Sequence, residues 1–193
     1  MSQSTTSATR PNTDAAMSTT GKERTVFTAS GECWLGTLLV ASSEKGLCAV
    51  LLGDNADTLL TELQQHFPDA NIIETKTDDA RVPFNTVHAQ VQNPSKTIDF
   101  DLDITGTPFQ KQVWDALLAI PAGSTKTYTE LAQSIGSPKA VRAVANACGA
   151  NMLAIIIPCH RAVRRDGHIS GYRCGVERKR QLLIHEGARS VRL

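Results

Sequence analysis

Three helix-start signals lie close together between residues 107 and 138, and they constrain the fold of the chain more than any other feature. The segment Thr107–Gln110 combines a capping threonine, a proline at the first helical position and a glutamine three residues after the cap. Thr127 and Glu130 repeat the capping pattern, and Ser137-Pro138 begins a third helix after a turn at Gly136. Helices joined by a short turn that contains glycine are typical of helix-turn-helix DNA-binding modules.

The third helix is predicted to run to Cys148 with one core face and one exposed face. Four residues at helical spacing form the predicted core face, Val141, Val144, Ala145 and Cys148. The opposite side carries polar residues and alanines, Lys139, Arg142, Asn146, Ala140, Ala143 and Ala147. Alanines allow close approach to a sugar-phosphate backbone but cannot read base edges, so we expect duplex binding with little sequence preference. An alanine-rich helix packed in a core is the alternative.

Charge is divided unevenly between the two halves of the chain. From Gly106 onward there are 13 basic and 5 acidic side chains, whereas the first 105 residues carry 7 basic and 14 acidic ones. A basic C-terminal half indicates a polyanionic partner. Neutralisation of one half by the other is the alternative explanation. No apolar run approaches the roughly 20 residues of a membrane span, so no membrane partner is expected.

Residues 24–104 are predicted to form a small α+β unit without a catalytic constellation. Apolar runs and periodicity predict strands at Thr25–Thr28, Leu35–Val40 and Leu47–Leu52, helices at Asp57–Phe67 and near Phe84–Gln92, and a half-buried strand with an acidic outer face at Thr97–Ile104. Residues 1–21, ten of which are Ser or Thr, are expected to be disordered.

The stretch Ile155–Arg161 carries the candidate nucleophile. Three consecutive isoleucines predict a buried strand that ends at Pro158, which cannot donate to a ladder. Cys159 and His160 follow at the turn, where positive charge from His160 and Arg161 is expected to stabilise the nucleophilic thiolate. A strand-end cysteine without chemistry is the alternative. The five cysteines include no C-x-x-C pair, so we expect free thiols in a reducing compartment and no zinc site.

A Cys–His pair needs a third group that fixes the imidazole tautomer. The last helix, predicted over Gly175–Glu186, offers Glu177 and Glu186. Glu186 is favoured because a carboxylate near a helix C-terminus opposes the helix dipole, which indicates a specific partner. Adjacent side chains on extended backbone point to opposite faces, so His160 is expected to reach Cys159 through a bent turn or a bridging water.

Two further features lie between the cysteine and the last helix. The segment Arg164–His168 is a basic turn centred on Asp-Gly and is predicted to contact phosphates. Tyr172 either floors a flat pocket for a base or is a core aromatic residue. A reactive thiol beside a DNA-binding helix pair indicates attack on a group carried by DNA. A base atom inside a duplex is reached only after its nucleotide is flipped out.

The sequence resembles the O6-alkylguanine-DNA alkyltransferases. The shared residues are Ile157-Pro158-Cys159-His160-Arg161, Thr127-Tyr128, Glu130-Leu131-Ala132, Lys139-Ala140-Val141-Arg142-Ala143-Val144, Asn151 and His185-Glu186-Gly187. The resemblance extends over residues 24–188 and is strongest to the C-terminal half of the bacterial Ada-type members. It implies an α+β fold, with a ribonuclease-H-like α/β domain at 22–105 and a winged-helix-like, helix-turn-helix domain at 106–193 that holds the active site.

The resemblance also implies the activity, that of a methylated-DNA–protein-cysteine S-methyltransferase. Such a protein transfers an alkyl group from O6-alkylguanine in DNA, and less readily from O4-alkylthymine, irreversibly to its own cysteine, here Cys159. By position, His160 acts through a water as the base, Glu186 orients His160 and Asn151 holds the active-site turn. Contacts to DNA or to the flipped base are implied for Tyr128, Arg142, Tyr172, Arg173, Lys139, Ala140 and Arg161. By the same resemblance, Tyr128 assists rotation of the nucleotide and donates to the flipped base, and Arg142 enters the duplex in place of that base.

The resemblance implies no cofactor and no metal. Ser43 and Cys48 stand where zinc ligands of the animal members are expected, and no four-cysteine metal domain of the Ada type occurs, so no transcription-activator role is predicted. Cys174 lies at the predicted pocket rim and leaves the acceptance of bulky alkyl groups open. We expect a monomer in the cytoplasm, nucleoid-associated in a bacterium, whose partner is duplex DNA with O6-alkylguanine.

Three alternative functions remain open at the level of sequence. A lesion-binding homologue would flip the base without reacting, but such proteins lack the cysteine. A thiol hydrolase would use the same Cys, His and Glu for repeated turnover. A winged-helix regulator would need strong sequence preference, which the alanine-rich helix disfavours.

Overall fold

The structure, a computed structural model, describes residues 24–76, 81–94, 99–169 and 171–188. The predicted disordered segment 1–21 lies outside the described residues. None of the helices in the described part of the chain has the length and apolar character needed to span a bilayer.

The N-terminal unit is built on a four-stranded sheet in the order β3-β2-β1-β4. Its strands are β1 (Thr25–Cys33), β2 (Gly36–Ser43), β3 (Gly46–Gly53) and β4 (Asn71–Glu74). The first three form the antiparallel meander that the apolar runs predict. The fourth pairs parallel to β1 and was not predicted, because four residues with Ile73 exposed give no clear alternation.

Two helices cover the sheet. These are α1 (Ala56–His66), between β3 and β4, and α2 (Val82–Gln92), which follows β4. Asn55 caps α1 by accepting from the Thr58 N–H at 2.8 Å, and α1 buries Leu59 and Leu63. Both helices agree with the predicted ranges.

The predicted strand Thr97–Ile104 is wrong for the part that the structure describes, residues 99–104. Here Leu102 forms one isolated parallel bridge with Leu47, and no longer ladder follows. The acidic face is not purely a solvated one, because the Asp103 carboxylate accepts from Arg24 at 2.7 Å and from Ser43 at 2.6 Å. Two backbone bonds to Leu47 and the side-chain bonds of Asp103 thus hold this segment in place of the predicted ladder.

The C-terminal half is helical around a small two-stranded parallel sheet. Its elements are α3 (Pro108–Leu118), β5 (Lys126–Thr127), α4 (Tyr128–Ser134), α5 (Val141–Gly149), β6 (Ala162–Val163) and α6 (Val176–His185). Both capping boxes are present, with Thr107 bonded to the Gln110 backbone and Thr127 to the Glu130 backbone. The mixed α+β class is therefore confirmed.

The third predicted helix start is shifted. Ser137-Pro138 forms a turn, in which the Ala140 N–H donates to Ser137 O at 2.9 Å, and α5 begins at Val141. One predicted exposed residue of this helix is wrong as well, since Ala147 is buried and its carbonyl accepts from Trp114 Nε1 at 2.9 Å. The bond to α3 turns this end of α5 into the core.

The capping box of α3 gives a test of local stability. Thr107→Ala removes the acceptor of the Gln110 N–H, so the free energy of unfolding should fall by about 1 kcal/mol in urea denaturation. Thr61→Ala is the matched control, because Thr61 is exposed on α1 and its hydroxyl only donates to Asp57 O within the same helix. The control should stay within about 0.5 kcal/mol of the parent. Equal losses in the two variants would contradict the capping role.

Candidate active site

The three isoleucines before the cysteine do not form the predicted strand. They lie in a turn, and Ile155 has a φ of 71°, in the left-handed region that β-branched residues rarely adopt. The Asn151 side chain holds this turn, because its Oδ1 accepts from Leu153 N at 2.9 Å and its Nδ2 donates to Ile157 O at 2.9 Å. Side-chain bonds and pairing with β3 through Val50 satisfy the backbone here in place of a ladder.

The candidate nucleophile follows this turn on a single 3-10 turn, Cys159–Arg161. Cys159 is buried, and its Sγ lies 3.2 Å from Asn151 Nδ2, which donates to it. Burial raises the pKa of the Cys159 thiol, whereas the Asn151 hydrogen bond and the charge of Lys179 act to lower it. The net effect is a neutral thiol at rest, with a donor already directed at the sulfur.

His160 is fully buried and is bonded on one ring nitrogen. Its Nε2 lies 2.9 Å from Glu186 Oε1. Since an ionised carboxylate only accepts, Nε2 carries the hydrogen and Nδ1 carries the lone pair. Nδ1 is buried and has no partner among the described residues. Burial lowers the pKa of His160, so the ring is neutral at rest and Nδ1 is available as a base.

Glu186 is the orienting carboxylate. Arg161 binds it with Nε at 3.0 Å from Oε2 and Nη2 at 2.7 Å from Oε1. Burial acts to raise the pKa of Glu186, but the bonds from His160 and Arg161 hold it at about 2. The alternative carboxylate, Glu177, instead faces Arg180 on the outside of α6 at 3.5 Å.

Two sequence-based expectations about Arg161 are wrong. Its guanidinium points inward, where Nη1 also donates to Ile120 O at 2.6 Å, so the side chain does not face the surface that would meet DNA. It also does not activate the thiol, because its charge is matched by Glu186. A buried carboxylate within reach of the guanidinium attracts it away from solvent.

Lys179 is the cation that sequence reasoning missed. It is fully buried, and its Nζ donates to Ala162 O at 2.5 Å. Burial lowers its pKa to about 8, while interaction with Cys159 and Cys148 acts to raise it. Lys179 was missed because it lies in a run of charged residues, which are usually exposed to solvent. Helical spacing was the available signal, since Lys179 shares a face with Leu182 and Leu183, which are buried.

Tyr172 lies beside His160 and packs against the core cluster that contains Cys159. Its ring meets the His160 ring edge-on with centroids 6.4 Å apart. The Tyr172 hydroxyl is buried near the Cys174 thiol, and burial raises the pKa of Tyr172 well above the ordinary value. Cys174 is buried close by. The side chain of Arg173 turns away and pairs with Glu62 at 2.6 Å.

Four of the predicted DNA-contacting residues reach the surface of the C-terminal half at least in part. Arg142 and Lys139 are exposed, and Tyr128 and Ala140 are half-buried. A cavity of about 420 Å³ opens between the helix pair and the basic turn, lined by Tyr128, Thr129, Val141, Arg164, Arg165 and Asp166. The basic turn is present, since the Gly167 N–H donates to Arg164 O at 3.0 Å. Helix and turn together give a positively charged groove.

All five cysteines are free thiols, as expected. Within the described residues, no three His, Cys, Asp or Glu side chains come together in a way that would hold a metal ion.

The buried carboxylate predicts a pH-dependent effect on stability. The pKa of Glu186 is about 2 in the folded chain against an ordinary 4.5, so its stabilising contribution is complete above pH 4.5 and is lost as the pH falls towards 2. Glu186→Gln should therefore lower the free energy of unfolding on the order of 3 kcal/mol near pH 7. Urea denaturation at a series of pH values should show this gap narrowing below pH 4.5. A gap that is independent of pH would contradict the assignment.

Family models match both halves of the chain. The ribonuclease-like domain of 6-O-methylguanine DNA methyltransferase matches residues 26–93, and the DNA-binding domain of the same proteins matches residues 108–188. The bifunctional transcriptional activator/DNA repair enzyme Ada of Escherichia coli K12 is 51% identical over 176 residues, which are 89% of this chain and 48% of that protein. This chain spans about half the length of the first curated relatives that it matches.

Solved structures share the fold over most of this chain. The crystal structure of the Mycobacterium tuberculosis O6-methylguanine methyltransferase is 34% identical, covers 85% of this chain and 94% of its own, and has a TM-score of 0.65. The structure of the M. tuberculosis protein OGT in complex with DNA is 31% identical, covers 86% and 95%, and has a TM-score of 0.67.

These matches confirm the ribonuclease-like N-terminal and DNA-binding C-terminal parts that the sequence predicts. Because the family models cover both halves and a solved relative is covered over 94% of its length, the chain belongs to the O6-methylguanine-DNA methyltransferase family.

Proposed function

We propose that this chain repairs DNA by transferring the alkyl group of O6-alkylguanine, and less readily that of O4-alkylthymine, to Cys159 Sγ. The carrying observation is the buried Cys159 thiol next to a His160–Glu186 pair in which the His160 Nδ1 has no partner among the residues that the structure describes. One molecule accepts one alkyl group, because the resulting thioether has no leaving group that water displaces. The relatives named as methylated-DNA–protein-cysteine methyltransferases support this activity.

The residues around the sulfur account for the chemistry. His160 Nδ1 takes the thiol proton, directly or through a water, and Glu186 stabilises the resulting imidazolium through Nε2. Asn151 donates to the sulfur, and the Lys179 charge opposes the energetic cost of a buried thiolate. The S–C bond then forms as the C–O6 bond breaks, and the guanine, which stays attached to its deoxyribose, becomes neutral by taking up the proton that His160 holds or one from water.

The surface beside the thiol fits duplex DNA with a flipped nucleotide. Flipping is needed because O6 of a stacked guanine is out of reach of a buried sulfur. Arg142, exposed on α5, fills the space that the base leaves, and Tyr128 assists rotation and donates to the flipped base. Lys139 and Ala140 contact the backbone, and the basic turn adds phosphate contacts. The DNA complex of the M. tuberculosis relative supports this partner.

The remaining assignments complete the proposal. The chain divides into an α/β domain at 22–105 and a DNA-binding domain at 106–193, a division that the two matched regions support. The protein acts as a monomer, without cofactor or metal, in the bacterial cytoplasm on the nucleoid. Tyr172 and the backbone of Arg173 line the pocket of the flipped base.

The acceptor is tested by mass spectrometry of the intact protein after incubation with a methylated oligonucleotide. We expect a gain of one methyl group per molecule that maps to Cys159 and does not decay. Cys159→Ala should gain none while still binding DNA in a gel-shift assay, and Cys174→Ala, which removes a neighbouring buried thiol, should still gain one. Repeated release of product would indicate a thiol hydrolase, and transfer by Cys159→Ala would refute the acceptor.

The role of Arg142 is tested by comparing two substrates. Arg142→Ala should slow repair of O6-methylguanine in duplex DNA by tenfold or more, about the effect of losing one good contact. Reaction with the free base O6-methylguanine, which needs no flipping, should change little. Lys111→Ala, which removes an exposed positive charge on α3, controls for general electrostatic attraction. Equal losses on both substrates would remove the finger role.

A further inference from the structure

The loop Gly171–Gly175, here called the pocket loop, forms one wall of the active site. It presents Tyr172 to His160 with ring centroids 6.4 Å apart and buries Cys174. The loop turns into α6 through Gly175, which has a φ of 96° and whose N–H donates to Tyr172 O at 3.0 Å. The position of this loop therefore sets the space next to the reacting sulfur.

Arg178 ties the pocket loop to the N-terminal unit. Its Nη1 donates to Cys174 O at 3.0 Å, so it holds the loop backbone directly. Its Nε donates to Leu35 O at 2.7 Å and its Nη2 to Asp54 Oδ1 at 2.5 Å, both in the N-terminal unit. Gly36 makes room for it, because a Cβ there would lie 3.0 Å from Arg178 Nη2. One guanidinium thus joins the loop to two points of the neighbouring sheet.

A second arginine makes a similar connection from inside the loop. Arg173 Nε donates to Glu62 Oε1 on α1 at 2.6 Å, across 111 residues of sequence. Between these two anchors the backbone of Leu52 in β3 lies against the Cys174 thiol. The N-terminal unit, in whose described residues we find no reacting group, therefore contacts the pocket loop directly at Arg173 and Cys174 and indirectly through Arg178 of α6.

We propose that Asp54 and Glu62 are positioning residues that hold the pocket loop against Cys159 and thereby limit the size of the alkyl group accepted. This inference rests on the proposed function and names a determinant of substrate size for the same site. Fixed geometry favours a small group, because a methyl carbon must be held in line between O6 and sulfur. A loop released from its anchors admits larger groups and holds a methyl group less well.

The test uses the full chain and the double variant Asp54→Asn/Glu62→Gln. Single-turnover rate constants are measured at saturating duplex carrying O6-methylguanine or O6-benzylguanine. We expect methyl transfer to slow by about threefold and the benzyl-to-methyl rate ratio to rise by about threefold, the scale of losing one ion pair to the exposed Asp54 and one to the partly exposed Glu62. Raising the salt concentration should shift the ratio of the parent in the same direction.

The control variant Asp57→Asn/Glu74→Gln also removes two negative charges, but from other exposed positions of the N-terminal unit. The control gains as much general attraction to DNA as the test variant, because it loses the same number of negative charges. Its benzyl-to-methyl rate ratio should equal that of the parent. Hydrogen exchange provides a readout that does not depend on activity, since the Gly175 amide should exchange faster in the double variant alone. Should the double variant fail to fold, each single substitution is measured in the same way.

An unchanged ratio in the folded double variant, or the same shift in the control, would overturn the inference. A parent chain that transfers no alkyl group would instead refute the proposed function. In that case the exchange of the Gly175 amide would still report whether the two carboxylates hold the loop.

Discussion

The ionised carboxylate of Glu186, buried between His160 and Arg161, is the interaction on which the site depends. An unpaired charge in this position would be strongly destabilising, so the carboxylate fixes every group that satisfies it. Arg161 binds it with two nitrogens and also donates to Ile120 O beyond the end of α3. The end of α6, the turn that carries the thiol and the end of α3 therefore position one another. The tautomer of His160 follows from the same contact.

Much of the fold could be predicted from the sequence where the deciding partners are neighbours in the chain. The capping boxes at Thr107 and Thr127 are closed within one helical turn, and the meander β1–β3 follows from short apolar runs between turns. The choice of Glu186 over Glu177 also had a local basis, since a carboxylate at a helix C-terminus needs a partner. That partner is present in the structure as His160 with Arg161.

The wrong predictions share a different cause, because their deciding partners are distant in sequence. The three isoleucines lie in a turn because Val50 of β3 pairs with the backbone just before them, at Met152 and Ala154, and Asn151 holds Ile157 O. Arg161 points inward because it binds the carboxylate of Glu186, which lies 25 residues further along the chain. The burial of Lys179 depends on Ala162 O as acceptor. Composition and periodicity cannot reveal such pairings, which arise only when separate segments pack together.

The protonation states at rest explain how the Cys159 thiol is protected from reaction with other reagents. Burial raises the pKa of Cys159, so the sulfur is mostly a thiol and a weak nucleophile until a substrate reaches it. The pKa of Lys179, about 8, leaves this lysine mostly charged at neutral pH, and a thiolate beside it would raise that pKa further. The Lys179 ammonium and a Cys159 thiolate thus stabilise each other. His160 Nδ1 is available to receive the thiol proton when the thiolate forms. In the proposed function, reactivity then depends on the filled pocket, because only there does the free energy gained from bond formation exceed the cost of a buried thiolate.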